Sequence, residues 1–169
     1  MRGQMLATAP AHTGDIDVAR WPVIVSALQG SAGTAIDVMA AGDLRRLSPE
    51  LEERAEIELV STVGATPTGR RIETRGMIVH SATPIALDDR RLGALVGGVL
   101  LNNNLVFIDT INDLVYTPNG PPERRHGTAT LFLDDVRIST NVRLFEGARA
   151  LGTRVSSAVR EAVLGKGHV

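Results

Sequence analysis

Two groups of residues have the types and spacing to hold a small anion. The first is Arg75, Met77 and His80, on a long run that alternates with strand period. An arginine fork grips a carboxylate through two parallel hydrogen bonds, and an imidazole adds a third donor. The second is Arg137, Ser139 and Asn141, at every other position of another alternating run, with Thr153 and Arg154 following just before the last helix. The start of that helix would itself favour an anion. Plainer readings stand beside both. Arg75 also reads as an exposed sheet arginine, His80 as a half-buried histidine bonded to a backbone carbonyl, and the polar stripe from Arg137 to Asn141 as a solvated sheet face.

Other chemistry is harder to find. The four histidines, His12, His80, His126 and His168, lie at no metal-ligand spacing, and the chain has no cysteine. No metal or cofactor is expected. Gly93, Gly97 and Gly98 fall inside an apolar run instead of forming a phosphate loop after a strand. Asp134 and Asp135 could be a carboxylate pair, but at a hairpin tip they read as a solvated turn. Asp109, Asn112 and Asp113 read as solvated edge residues of a helix. No constellation for catalysis is present, so the segment is expected not to be an enzyme.

Composition narrows the class. The chain has 169 residues, 43% hydrophobic content and a net charge of −1. That suits a folded domain or two small ones, and it lacks the basic excess of a general nucleic-acid binder. With three Phe, one Tyr and one Trp, it cannot build an aromatic box or a base-stacking platform. The longest apolar run, residues 92–101, is too short to span a bilayer.

These residues must be positioned by a modest set of elements. Residues 1–19 read as flexible. A helix is expected over 21–28, an ambiguous apolar segment over 34–39, and a helix over 49–55 started by Ser48-Pro49. Strands are expected over 56–63, 71–87 and 91–101, with Pro84 marking a bend or an edge; together they would form an antiparallel meander. Asn102, Asn103 and Asn104 supply turn and cap chemistry for a helix over 105–116, apolar around so much of its surface that it should be sandwiched. A polar loop over 117–126 leads to a hairpin, Gly127 to Asn141. Val136, Ile138 and Thr140 would take its oily face, Arg137, Ser139 and Asn141 its polar one. A helix from Ser156 or Ser157 to Leu164 closes the chain, with Gly165 as its stop.

Within this order lie two long blocks: GTATLFLDDVRISTNV followed by RALGTRVSSAVREAVLGKG, and RRLGALVGGVLLNNNLVFIDTINDLVY. The first resembles the opening half of a Cache module, a PAS-like sensor domain on the outer side of bacterial transmembrane receptors. The second resembles the strand that closes one such module and the helix leading into the next. The resemblance implies an α+β fold, a PAS-like antiparallel sheet flanked by helices, in the tandem form and as a fragment. Residues 20–102 would be the back half of a distal module, 103–116 a linking helix, and 117–169 the front half of a proximal module. It further implies the periplasmic part of a membrane-anchored histidine kinase or chemotaxis receptor that senses a small organic anion, a carboxylate by the arginines above. A structural or dimerisation module without a ligand is the alternative, and a homodimer fits either.

Overall fold

The computed structural model describes Asp17 and residues 20–116, 127–144 and 147–167. The expectations for most of residues 1–19 and for the loop 117–126 lie outside the described residues. The fold is mixed α+β with antiparallel pairing throughout, as expected. The chain forms two compact units: one of the described residues up to Ala55 with Arg75–Leu100, the other of Glu56–Thr74 with the described residues from Leu101 onward. These units divide the chain differently from the sequence boundaries near 102 and 116.

The first unit holds α1 (Pro22–Leu28), β1 (Gly33–Met39), α2 (Ala41–Leu47), α3 (Pro49–Ala55), β4 (Gly76–Leu87) and β5 (Arg90–Leu100). The short β2 (Ile57–Glu58) and β3 (Ile72–Glu73) belong to the other unit. The ambiguous segment 34–39 is therefore a strand, and it takes the sheet position expected of residues 56–63. The sheet order is β1-β4-β5. Leu87 pairs with Arg90 across a two-residue turn in which Asp88 adopts φ 52°, a conformation a short acidic side chain tolerates. Pro84 sits in the central strand, yet β1 pairs with β4 only as far as Ala82. The missing N–H of Pro84 thus falls where that side of β4 has no partner strand.

One face of this sheet is covered. Val23, Ile24 and Ala27 of α1 pack on Ala82, while Leu44 and Ala55 pack with Met39, Ile78 and Leu100. Fully burying a side chain such as Leu44 contributes about 1.5–3 kcal/mol. A Cβ at Gly76 would come within 2.8 Å of Leu100 and 2.9 Å of Leu44, so a side chain there would have to displace both buried leucines.

The second unit is built around α4 (Leu105–Val115), β6 (Thr130–Leu133) and β7 (Val136–Thr140), and ends in α5 (Ser157–Arg160) and a π-helical turn, Glu161–Gly165. Asn104 caps α4 as expected, its side-chain oxygen accepting from the Phe107 N–H at 3.0 Å. The run 71–87 is not one strand. It breaks after Glu73, and β3 pairs with β2 in a ribbon of its own. The hairpin of β6 and β7 turns at Asp134 with φ 53°.

That hairpin does not stand alone. Residues 152–155 run along the outer edge of β7: Arg137 N–H donates to Thr153 O at 2.9 Å, Gly152 N–H to Arg137 O at 3.0 Å, and Val155 N–H to Asp135 O at 3.0 Å. Val60 N–H then donates to Gly152 O at 2.9 Å. Gly152 adopts φ +72°, and a Cβ there would lie 1.9 Å from the Glu58 carbonyl oxygen, so only glycine fits. Val136, Ile138 and Thr140 are buried as expected of the oily face, but the split fails at Ser139, which was placed on the polar face and is as fully buried as they are.

Helix α4 is less enclosed than its composition suggests. Ile108 is buried, but Val106, Leu114 and Val115 are exposed, so one stripe packs and the helix is not sandwiched among the described residues. Ile108→Asp should cost several kcal/mol, because an unpaired charge replaces a buried methyl group. Val106→Asp, on the open side, should leave stability within about 0.5 kcal/mol. Urea unfolding of both variants checks the assignment.

Candidate functional site

In the first unit, His80 lies on the covered face of β4 and is only 3% exposed. Its Nε2 is 2.6 Å from Asp37 Oδ2 on the neighbouring strand, and the Trp21 ring meets it edge-on with centroids 6.4 Å apart. A carboxylate, not a backbone carbonyl, satisfies the imidazole. Met77 points to the opposite face of β4, because adjacent strand residues alternate. Arg75 lies outside the strand, in the break after β3, and has a partner within the chain. Met77 and His80 are thus not brought together on one surface.

In the second unit, most of the polar candidates are committed to the fold. Ser139 donates to the Asn104 carbonyl at 3.0 Å. Asn141 accepts from Ala129 N–H at 2.8 Å, closing the base of the hairpin. Arg154, with its side chain 9% exposed, donates one arm to Asp135 Oδ2 at 2.6 Å and the other to Thr66 O at 2.6 Å. Asp135 also lies 3.9 Å from Arg70 and 3.8 Å from Arg160. It is buried, so the solvated-turn reading holds for neither its burial nor its bonding. The signal for this lay in the arginines at 70, 154 and 160, whose convergence on a turn acid no local pattern reveals. The helix start expected to favour an anion is a four-residue α5, and the hydroxyl of Ser156 caps it by accepting from Val159 N–H.

Arg137 is different. It is half-buried on β7, and burial lowers its pKa from the ordinary arginine value. One nitrogen donates to Thr153 Oγ1 at 2.9 Å, and the guanidinium carbon stands 5.3 Å from the centroid of the Phe132 ring. Its Nε is buried and has no hydrogen-bond partner, and no carboxylate among the described residues pairs with it. The other arginine with an orphaned Nε, Arg154, already has its acid.

Two residues of α4 depart from their solvated reading. Asp109 takes both arms of Arg149, at 2.8 and 2.7 Å, and that hydrogen bonding lowers its pKa from the usual carboxylate value. Asn112 has a buried Oδ1 with no partner, and the residue lines an opening of about 300 Å³ between α4 and β6, with Ile108, Tyr116 and Leu131. Among the described residues no three His, Asp or Glu side chains gather to hold a metal ion. No helix among them is long and apolar enough to cross a membrane.

Residues 99–169 match the family described as single Cache domain 3. No curated protein and no solved structure matches the chain. The resemblance to Cache modules is borne out over those residues, which include α4 and the hairpin. Cache domains are extracytoplasmic, non-catalytic ligand-binding modules of receptors.

Removing the acid at the hairpin tip leaves the Arg154 guanidinium buried without a counter-ion. Asp135→Asn should therefore cost about 3–5 kcal/mol in denaturant unfolding. At Asp109 the folded-state pKa is lowered, so its contribution is present above the unfolded pKa and is lost as pH falls through the folded one. A carboxyl-carbon NMR titration should place Asp109 below an ordinary aspartate, and Arg149→Gln should bring it back toward one.

Proposed function

Taking residues 99–169 as a Cache segment, we propose that the chain is part of the extracytoplasmic sensor of a transmembrane signalling receptor and binds a small organic anion at Arg137. The unpaired, half-buried guanidinium is the observation that carries this reading. A cation partly removed from water is costly without a counter-charge, and the other arginines of its unit that form ion pairs have acids of their own. A short-chain carboxylate would bond the half-buried guanidinium beside the Thr153 hydroxyl. The lack of an aromatic box argues against a quaternary amine.

The receptor would be membrane-anchored with this segment on the periplasmic side, and its output half would be a histidine kinase or a chemotaxis signalling module. Ligand binding would shift the population between two receptor states to the extent that the anion prefers one of them.

Calorimetry with acetate, propionate, pyruvate and succinate tests the ligand class. At least one should bind, and Arg137→Gln should weaken it about ten- to a hundredfold, the value of a charge-assisted hydrogen bond. Carboxylate binding that survives the substitution, or binding confined to amines or sugars, would overturn the proposal.

A further inference from the structure

The Thr153 hydroxyl has one proton to give and stands between two groups. Its Oγ1 lies 2.7 Å from the Ala150 carbonyl oxygen and 2.9 Å from an Arg137 nitrogen. A carbonyl only accepts and a guanidinium only donates, so both directions are fixed. The hydroxyl donates to Ala150 and accepts from Arg137. Ala150 is fully buried, so its carbonyl has no solvent to turn to.

The bond to Ala150 closes the turn over residues 150–153, in which Gly152 adopts φ +72°. Just before that turn comes Arg149, which grips both carboxylate oxygens of Asp109 on α4 and donates to the Thr140 carbonyl at 3.1 Å. The turn is thus tied to Arg137 at one end and, through Arg149, to α4 at the other.

An anion at Arg137 disturbs this arrangement. A carboxylate on the guanidinium brings lone pairs beside Oγ1, whose own proton points away toward Ala150. The two acceptors repel unless the hydroxyl turns. The rotor itself moves freely, but turning leaves the buried Ala150 carbonyl without its donor. We propose, resting on the reading of Arg137 as the anion site, that the Thr153 hydroxyl is a two-position switch between that site and α4. Without ligand it donates to Ala150, closes the turn and keeps Arg149 on Asp109. With a carboxylate on Arg137 it donates to the carboxylate, the turn loosens, and Arg149 holds α4 less firmly. Linkage makes the effect reciprocal, so a weaker hold on α4 favours the anion. The coupling has a physical carrier, one O–H with two positions that both sites bias.

The test titrates the full chain with acetate, propionate, pyruvate and succinate by calorimetry and follows the carboxyl carbon of Asp109 by NMR. Hydrogen bonding from Arg149 holds the Asp109 pKa below the usual carboxylate value. In the ligand-free chain Thr153→Val, which keeps the shape and removes the hydroxyl, should raise that pKa. Thr153→Ser, which keeps the hydroxyl, should leave it near its native value. Saturation with a carboxylate should raise it in the native chain and in the serine variant, and add nothing in the valine variant. Asp109→Asn should tighten carboxylate binding about fivefold, and should not do so alongside Thr153→Val. An Asp109 pKa that Thr153→Val leaves unmoved would overturn the switch. So would a carboxylate that binds and leaves Asp109 unmoved, a result that keeps the anion reading intact. A chain that binds none of the four carboxylates would overturn the anion reading, and the switch with it.

Discussion

The carboxylate of Asp135 sits in the interior of the second unit within 4 Å of three arginines. An isolated charge there would cost several kcal/mol, and the cost is offset only while its partners are held in place. Those partners come from three stretches of chain: Arg70 precedes β3, Arg154 follows the hairpin, and Arg160 ends α5. A buried acid with such partners fixes register as well as proximity. With Asp135 in place, residues 152–155 lie against β7, and Gly152 has room to approach Glu58. The interior it organises is unusually polar, with Glu73, Asn102, Ser139, Thr140 and Thr153 buried beside a few aliphatic side chains. Such a core depends on every polar group finding its partner.

This explains which candidate residues remain available for function. Ser139 and Asn141 hold backbone groups of the hairpin and its surroundings, and Arg154 holds the buried acid. Each is a plausible ligand residue by type, but each is already bonded. Arg137 lies on the same strand and is left with an unsatisfied donor, because the ladder bonds around it engage its backbone and its side chain meets only the Thr153 hydroxyl and the Phe132 ring. In the first unit the His80 imidazole is bonded in the same way, to Asp37.

Much of the secondary structure was legible in the sequence because it is encoded locally. The hairpin at Asp134, the turn at Asp88, the Asn104 cap and the strand period of β4 and β5 all follow from side chains acting on their own backbone. The helix α2 was not anticipated: its seven residues contain Gly42, and it is held by one buried leucine, Leu44. The strand expected over 56–63 shrank to Ile57–Glu58 because its partner run breaks after Glu73, whose carboxylate is buried on Arg70. Long-range ion pairs of this kind leave no trace in periodicity. For the same reason the candidate arginines were identifiable by type, while their division into structural and available ones required the fold.

The account rests on Arg137 being the arginine that an anion can still reach. The side-chain Nε–H resonances of Arg137 and Arg154, followed by NMR during titration with a short-chain carboxylate, test this directly. The Arg137 signal should shift and become protected from exchange, while the Arg154 signal, fixed on Asp135, stays where it is. A titration that moves Arg154 and leaves Arg137 unchanged would contradict the account.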